Sequence, residues 1–233
     1  MNGNKDNEIK LDVLIVGAGF GGMYMLHKSR ELGLEALIVE AGEGVGGTWY
    51  WNRYPGARCD VESIEYSYSF SEELQQEWNW SSRYSSQDEI LKYANHVADR
   101  FDLRKDIKFN QRVISSVFKE DANKWNISTS SGDNYLAQYC IMATGTLSSV
   151  KEISFNGLDS YKGEWYVTGN WPHQKIDFAG KKVGIIGTGS SAVQAIPVIA
   201  EDAEHLTVFQ RTANYSIPAK NRKLTDQEVK KVK

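Results

Sequence analysis

Leu11-Asp12-Val13-Leu14-Ile15-Val16 runs directly into Gly17-Ala18-Gly19-Phe20-Gly21-Gly22. The first six residues are apolar apart from Asp12, as in a short strand buried on both faces of a parallel sheet. The glycines that follow fit G-x-G-x-x-G. In that pattern Gly17 permits a sharp turn, Gly19 lets the backbone approach a pyrophosphate, and Gly22 allows close packing of helix on strand. A helix is expected over Gly21–Leu32, with Met23, Leu26 and His27 at helical spacing and Gly33 as its stop. Ala36-Leu37-Ile38-Val39 then restores a strand and completes a βαβ unit. Free N–H groups at the helix N-terminus suit an anion. Glu40 closes the second strand 23 positions after Gly17, where an acid accepts from a ribose hydroxyl.

The same arrangement recurs 170 positions downstream. Lys182-Val183-Gly184-Ile185-Ile186 reads as a strand, Gly187-Thr188-Gly189-Ser190-Ser191-Ala192 as the glycine turn, Val193–Ala200 as the helix and Leu206–Phe209 as the next strand. Counting 23 positions from Gly187 reaches Gln210, followed by Arg211 and Thr212. A carboxylate repels the 2′-phosphate of NADP, whereas a guanidinium binds it through charge-assisted hydrogen bonds. The first turn therefore suits FAD or NAD and the second NADP. Two unlike nucleotide sites on one chain point to an electron relay, with hydride passing from NADPH to flavin and on to an acceptor. Cys59 and Cys140 form no C-x-x-C, which argues against a disulfide as that acceptor.

Between the two units, Ser86 and Glu89 resemble a capping box, and Ile90, Ala94, Val97 and Phe101 mark one face of a helix. Ile107–Phe109, Val113–Phe118, Trp125–Thr129 and Tyr135–Met142 read as short strands, with Ser131-Gly132-Asp133-Asn134 as a hairpin turn. Thr225 and Glu228 form a second capping box. The expected fold class is α/β: two Rossmann-like dinucleotide-binding modules with a small β-meander inserted in the first. The expected division is an FAD-binding part over 1–150, a linker over 151–180 and an NADP-binding part over 181–233.

Composition agrees with this reading. The 233 residues are 41% hydrophobic and include 8 Phe, 7 Trp and 12 Tyr, too apolar for a disordered chain. With 27 Lys+Arg against 30 Asp+Glu, the charge of −3 argues against nucleic-acid or membrane-surface partners. Two cysteines make neither a disulfide framework nor a four-ligand zinc site. Met1–Lys10 is polar, and no run approaches the roughly 18 apolar residues of a membrane helix. A soluble, cytoplasmic protein is expected.

The stretch Gly46-Gly47-Thr48-Trp49-Tyr50-Trp51-Asn52-Arg53-Tyr54-Pro55-Gly56-Ala57-Arg58-Cys59-Asp60 resembles the Baeyer–Villiger monooxygenase family, whose signature reads G-G-x-W-x-x-x-x-[FY]-P-G-x-x-x-D. The resemblance extends from Leu11 through Asn221 and includes Ala143-Thr144-Gly145 and Phe209-Gln210-Arg211-Thr212. It implies FAD and NADPH as cofactors, with dioxygen and a ketone converted to an ester or lactone through a flavin C4a-peroxide. Carried over position by position, it implies Gly17, Gly19, Phe20, Gly22, Glu40, Gly47, Thr48, Trp49, Asp60, Tyr66 and Val113 around FAD. It likewise implies Arg58, Gly187, Thr188, Gly189, Ser190, Ser191, Gln194, Arg211 and Thr212 around NADP. Asp60 takes the catalytic role of orienting the nicotinamide and an active-site arginine. Read from chemistry alone, Trp49, Trp51 and Tyr54 offer flat surfaces for a flavin ring or serve as core filler. Asp60, two residues from Arg58, is expected to be a desolvated, Arg-paired carboxylate. Among the histidines, His27 and His96 fall on helices and His173 and His205 in connections, none at metal-ligand spacing.

The chain departs from the family pattern twice. In the fingerprint F-x-G-x-x-x-H-x-x-x-W-[PD], the stretch Tyr161–Pro172 keeps Gly163, Trp171 and Pro172 but places Val167 at the histidine. Valine neither titrates nor hydrogen-bonds through its side chain. Family members are also more than twice as long, and their active-site arginine lies beyond the last residue here. A complementary C-terminal half is thus an expected partner. Nitrogen- or sulfur-oxygenating flavin enzymes, and a non-catalytic nucleotide-binding fragment, are the alternatives.

Overall fold

A computed structural model describes residues 8–233; of the polar opening segment, Met1–Asn7 lie outside the described residues. The elements run β1 (Glu8–Val16), α1 (Phe20–Glu31), β2 (Ala36–Val39), α2 (Thr48–Trp51), α3 (Glu72–Glu77), α4 (Gln87–Arg100), β3 (Ile107–Lys108), β4 (Val113–Lys119), β5 (Lys124–Thr129), β6 (Asn134–Met142), β7 (Lys182–Ile186), α5 (Ser190–Asp202), β8 (His205–Phe209) and α6 (Asp226–Val232), with short 3₁₀ turns between some of them. The described residues divide into two compact units, one of residues 8–50 and 91–148, the other of 51–90 and 149–233.

The first unit is built on a six-stranded sheet in the order β3-β2-β1-β6-β5-β4. Its first four strands are parallel, while β5 and β4 continue antiparallel from β6 as the meander. This is the Rossmann-like parallel sheet with an added meander expected for the first module. One face buries Val13, Ile15 and Ile38 against Met23 and Leu26 of α1 and Ala94 and Ala98 of α4. The other gathers Leu14, Val39, Ile127, Tyr135 and Ala137. Each such aliphatic side chain contributes about 1.5–3 kcal/mol by leaving water, so the core fixes where the β1–α1 turn sits. Arg30 fastens the end of α1: its Nε donates to Asp106 Oδ2 at 2.8 Å and its Nη atoms to the Phe101 and Asp102 carbonyls.

Strand β1 starts at Glu8, three residues before the apolar run begins at Leu11. Glu8, Ile9 and Lys10 are exposed and pair with Asn134, Tyr135 and Leu136, so backbone ladder bonds extend the strand where no apolar pattern marks it.

The second unit carries the parallel pair β7–β8 beside α5. Phe178, Ala195 and Ile199 are buried there, with Tyr54, Trp171, Val183, Ile185 and Leu206 packed against them. Tyr54 of the signature stretch is thus part of this core. Asn221 clasps Tyr84, accepting from its N–H at 2.9 Å and donating to its carbonyl at 3.2 Å, and Ser82 bridges to Lys223. The capping box on α6 forms as expected, Thr225 and Glu228 exchanging bonds, and Arg222 and Thr225 hold the Glu228 carboxyl well below its ordinary range. The box expected at Ser86 does not close through Glu89, whose carboxylate instead accepts from the N–H and hydroxyl of Ser81. His205 opens β8 and does not lie in a connection.

Candidate functional site: two turn–helix junctions

At the first junction Gly17 takes φ +105°, a backbone region that side chains with a Cβ avoid. A Cβ there would also meet the Ala143 carbonyl oxygen at 2.7 Å. Gly19 is the N-cap of α1, extended at φ −78°, ψ −173°, with no side-chain cap, so the first amides of the helix point away without a covering side chain. Gly22 lies one turn in, where a Cβ would overlap the Gly17 carbonyl oxygen. Gly47 closes in from the other side: at φ +54°, its Cβ would fall 2.8 Å from Gly19 Cα. The backbone therefore forms a bare cradle that any side chain would fill. Such a cradle fits a diphosphate, which needs close approach and several N–H donors.

Glu40 is buried, and both carboxylate oxygens are engaged: Oε2 accepts from Ala18 N–H and Oε1 from Gly42 N–H, each at 2.7 Å. The acid placed by the 23-residue spacing thus braces the turn itself. Each oxygen keeps a further lone-pair direction for a hydroxyl.

The second junction repeats the first almost angle for angle. Gly187 has φ +104°, and Gly189 caps α5 at φ −74°, ψ −178°, again without a side-chain cap. At the position of Glu40 stands Gln210, whose Nε2 donates to Thr188 Oγ1 at 2.9 Å, joined there by Asn214 Nδ2 at 3.2 Å. In both modules, then, the residue 23 positions on clasps the residue just after the first glycine, Ala18 in one and Thr188 in the other. The second clasp is neutral, and Arg211 and Thr212 beside it are exposed. The environments differ too: among the described residues, a Cβ at Gly187 or Gly189 would meet nothing within 4 Å. Ser190 and Ser191 open α5, with Ser190 exposed and Ser191 half-buried.

The signature stretch is shared between the units. Gly46 to Tyr50 lie in the first, where Thr48 starts the single-turn α2 and Trp49 is buried. Phe20, at the head of α1, stands with its ring 6.0 Å from that of Tyr93, and Val113 opens β4 opposite Thr129. Trp51 onward lies in the second unit, where Tyr66 is half-buried and donates its N–H to the Glu62 carbonyl. Asp60 is exposed and makes no ion pair among the described residues, and the Arg58 guanidinium donates to the Tyr84 carbonyl. The expected desolvated Asp60–Arg58 pair is therefore not formed. The Arg58 guanidinium is taken up by a backbone acceptor, the Tyr84 carbonyl, and Asp60 stays exposed to water. Tyr54 is partly buried beside the second unit's core, and its hydroxyl donates to Gln194 Oε1 at 2.8 Å.

Cys59 is buried, and burial pushes its thiol above the ordinary value; Cys140 is half-buried, and both are free. In the native chain Cys140 is expected to react with Ellman's reagent at least about tenfold faster than Cys59. Cys140→Ser should remove the fast phase, and a fast phase surviving it would contradict the burial of Cys59. Among the described residues no group of acidic, His or Cys side chains is arranged to hold a metal, and no helix is long and apolar enough to cross a membrane.

Two conformationally equivalent glycine junctions, each between a parallel strand and a helix, define a dinucleotide-fold protein. The chain belongs to the pyridine nucleotide-disulphide oxidoreductase family, whose sequence profile matches residues 14–230. It is 46% identical over 219 residues to an acetone monooxygenase (methyl acetate-forming) of Gordonia sp. (strain TY-5), covering 94% of this chain and 41% of that protein. It is 47% identical over 211 residues to a Baeyer-Villiger monooxygenase of Pseudooceanicola batsensis, covering 90% and 38%. Among solved structures, an oxidized steroid monooxygenase bound to NADP superposes with a TM-score of 0.92 at 56% identity, over 95% of this chain and 42% of that one. The chain thus spans about two-fifths of the length of the curated relatives it matches.

Proposed function

We propose that this chain supplies the two dinucleotide sites of an FAD- and NADPH-dependent monooxygenase of Baeyer–Villiger type, acting on a ketone with dioxygen. The observation that carries the proposal is the pair of equivalent junctions whose clasping residues differ: a buried carboxylate, Glu40, in the first and a neutral amide, Gln210, followed by exposed Arg211, in the second. When bound, FAD with NADPH and dioxygen supplies the redox chemistry that inserts oxygen beside a carbonyl. The chain's own residues bind and orient. Amides at the head of α1, with Gly17, Gly19 and Gly47 leaving them uncovered, hold the diphosphate of FAD, and Glu40 offers its free lone pairs to the ribose. Phe20, Gly22, Thr48, Trp49, Tyr66 and Val113 complete that site. Amides at the head of α5, with Gly187, Thr188, Gly189, Ser190 and Ser191, hold the diphosphate of NADP, while Arg211 and Thr212 take the 2′-phosphate. Arg58 and Asp60 serve the nicotinamide end, Asp60 as the catalytic residue that orients the ring.

Cys59 and Cys140 form no C-x-x-C, which favours oxygen over a disulfide of this chain as the electron acceptor. The sites divide into an FAD part over 1–150, a linker over 151–180 and an NADP part over 181–233, with the remaining catalytic groups on a complementary segment. The reading places the protein in the cytoplasm, where reduced pyridine nucleotide is supplied.

Calorimetric titration of the purified chain tests this. NADP+ should bind more tightly than NAD+, and Arg211→Ala should weaken NADP+ by about 10–100-fold, the worth of one or two charge-assisted bonds, while NAD+ changes less than about twofold. Equal losses for the two nucleotides would refute the assignment, as would failure of the chain to take up flavin when FAD is added.

A further inference from the structure

Gln194 stands on α5 about one turn from its first residue, Ser190, and its side chain is spoken for. Oε1 accepts from Tyr54 Oη at 2.8 Å and from Arg58 N–H at 3.2 Å, while Nε2 donates to the Arg58 carbonyl at 2.9 Å. The amide orientation is fixed by chemistry, because Arg58 presents one backbone donor and one backbone acceptor, and only the observed orientation satisfies both. Three of the four hydrogen-bonding sites on the amide are consumed. A second contact presses the same turn onto the same helix: Gly56 has φ +77°, and a Cβ there would overlap the Gln194 carbonyl oxygen and reach Val198 Cγ2 at 3.0 Å. The Arg58 guanidinium is braced separately on the Tyr84 carbonyl. Arg58 is therefore held at its backbone by α5 and at its side-chain end by the 81–84 segment.

We propose that Gln194 is a positioning residue and not a nucleotide ligand. It pins the Tyr54–Arg58 turn to the helix that carries the second glycine junction, and so fixes Arg58 and Asp60 for the nicotinamide end of NADP. The proposal rests on the assignment of the second junction to NADP given above. It separates two halves of one ligand: the adenosine and diphosphate meet the junction directly, whereas the nicotinamide depends on a turn that Gln194 holds.

The test uses the full chain, Gln194→Met, which keeps the volume and removes the bonds, and two probes, NADP+ and 2′-phospho-ADP-ribose, which lacks only the nicotinamide. Calorimetry should show NADP+ weakened about tenfold, a shift of one decade in Kd, with 2′-phospho-ADP-ribose unchanged within about twofold. Hydrogen exchange at the Arg58 amide should accelerate in parallel, because its acceptor is gone. Equal weakening of both probes would make Gln194 a direct ligand and overturn the proposal. Unchanged binding of both, or selective weakening with Arg58 exchange unaltered, would overturn it as well. Should Gln194→Met fail to fold, Tyr54→Phe removes a single bond from the lock and should move NADP+ and Arg58 exchange in the same directions by a smaller factor. If the parent chain binds neither probe, the NADP assignment fails; Arg58 exchange in Gln194→Met against the parent then decides the lock alone, and unaltered exchange overturns it.

Discussion

Replacing Gly22 by alanine is expected to cost more than ~3 kcal/mol, the upper end for overpacking, because the obstacle is backbone and not a side chain that can turn aside. The new Cβ would occupy the space of the Gly17 carbonyl oxygen and would also lie 3.5 Å from Ala143 Cβ. Alanine in place of glycine in a helix ordinarily gains about 1 kcal/mol, so the clash must exceed that gain before any loss appears. The second module supplies the control, since Ala192 stands at the position equivalent to Gly22 and a methyl group is accommodated there. Ala192→Gly should cost only the helix-propensity difference of about 1 kcal/mol. Urea unfolding followed by circular dichroism compares the two. An unchanged midpoint for Gly22→Ala would show that the turn relaxes, contrary to the packing around it.

The next largest effect is expected at Glu40. Its buried carboxylate satisfies Ala18 N–H and Gly42 N–H, and hydrogen bonds to a charged group are worth about 1.5–3 kcal/mol each. Glu40→Ala should therefore destabilise by about 3 kcal/mol or more, leaving two amides without an acceptor. Glu40→Gln keeps one acceptor but turns an NH₂ toward the other amide, for a loss of about 1.5–3 kcal/mol. The expected order of unfolding midpoints is parent, then Glu40→Gln, then Glu40→Ala. A glutamine variant as stable as the parent would remove the two-amide role.

Much of the first module was legible because its signals are local. The β1 apolar run, the glycine turn and the β2 run lie within thirty residues, and the meander strands were bounded by turn residues such as Gly132, which takes φ +91°. The 23-residue count also located Glu40 and Gln210, although their engagement with the turns was not visible from spacing. What stayed hidden depends on partners far away in sequence. Nothing near Tyr54 announces Gln194, 140 positions later, and nothing near Asp60 shows that Arg58 turns to Tyr84. Residue type alone allowed Tyr54 to lie beside a flavin ring or in a core, and it packs at the edge of the cluster formed by Phe178, Ala195 and Ile199. The extension of β1 to Glu8 escaped for the same reason: ladder bonds to a strand formed by residues 134–136 leave no trace in local polarity.

Strand β6 pairs in parallel with β1 from Glu8↔Asn134 to Val16↔Met142, residues 126 positions apart. During synthesis, the turn at Gly17 can reach its final shape only after Met142 and Ala143 have left the ribosome. Until then the strand ending at Val16 has a neighbour on one side alone, and closing so long a loop is entropically slow. Strand β1 accordingly waits for a partner made 126 residues after it, and a nascent chain halted before residue 142 would carry an open apolar edge available to chaperones.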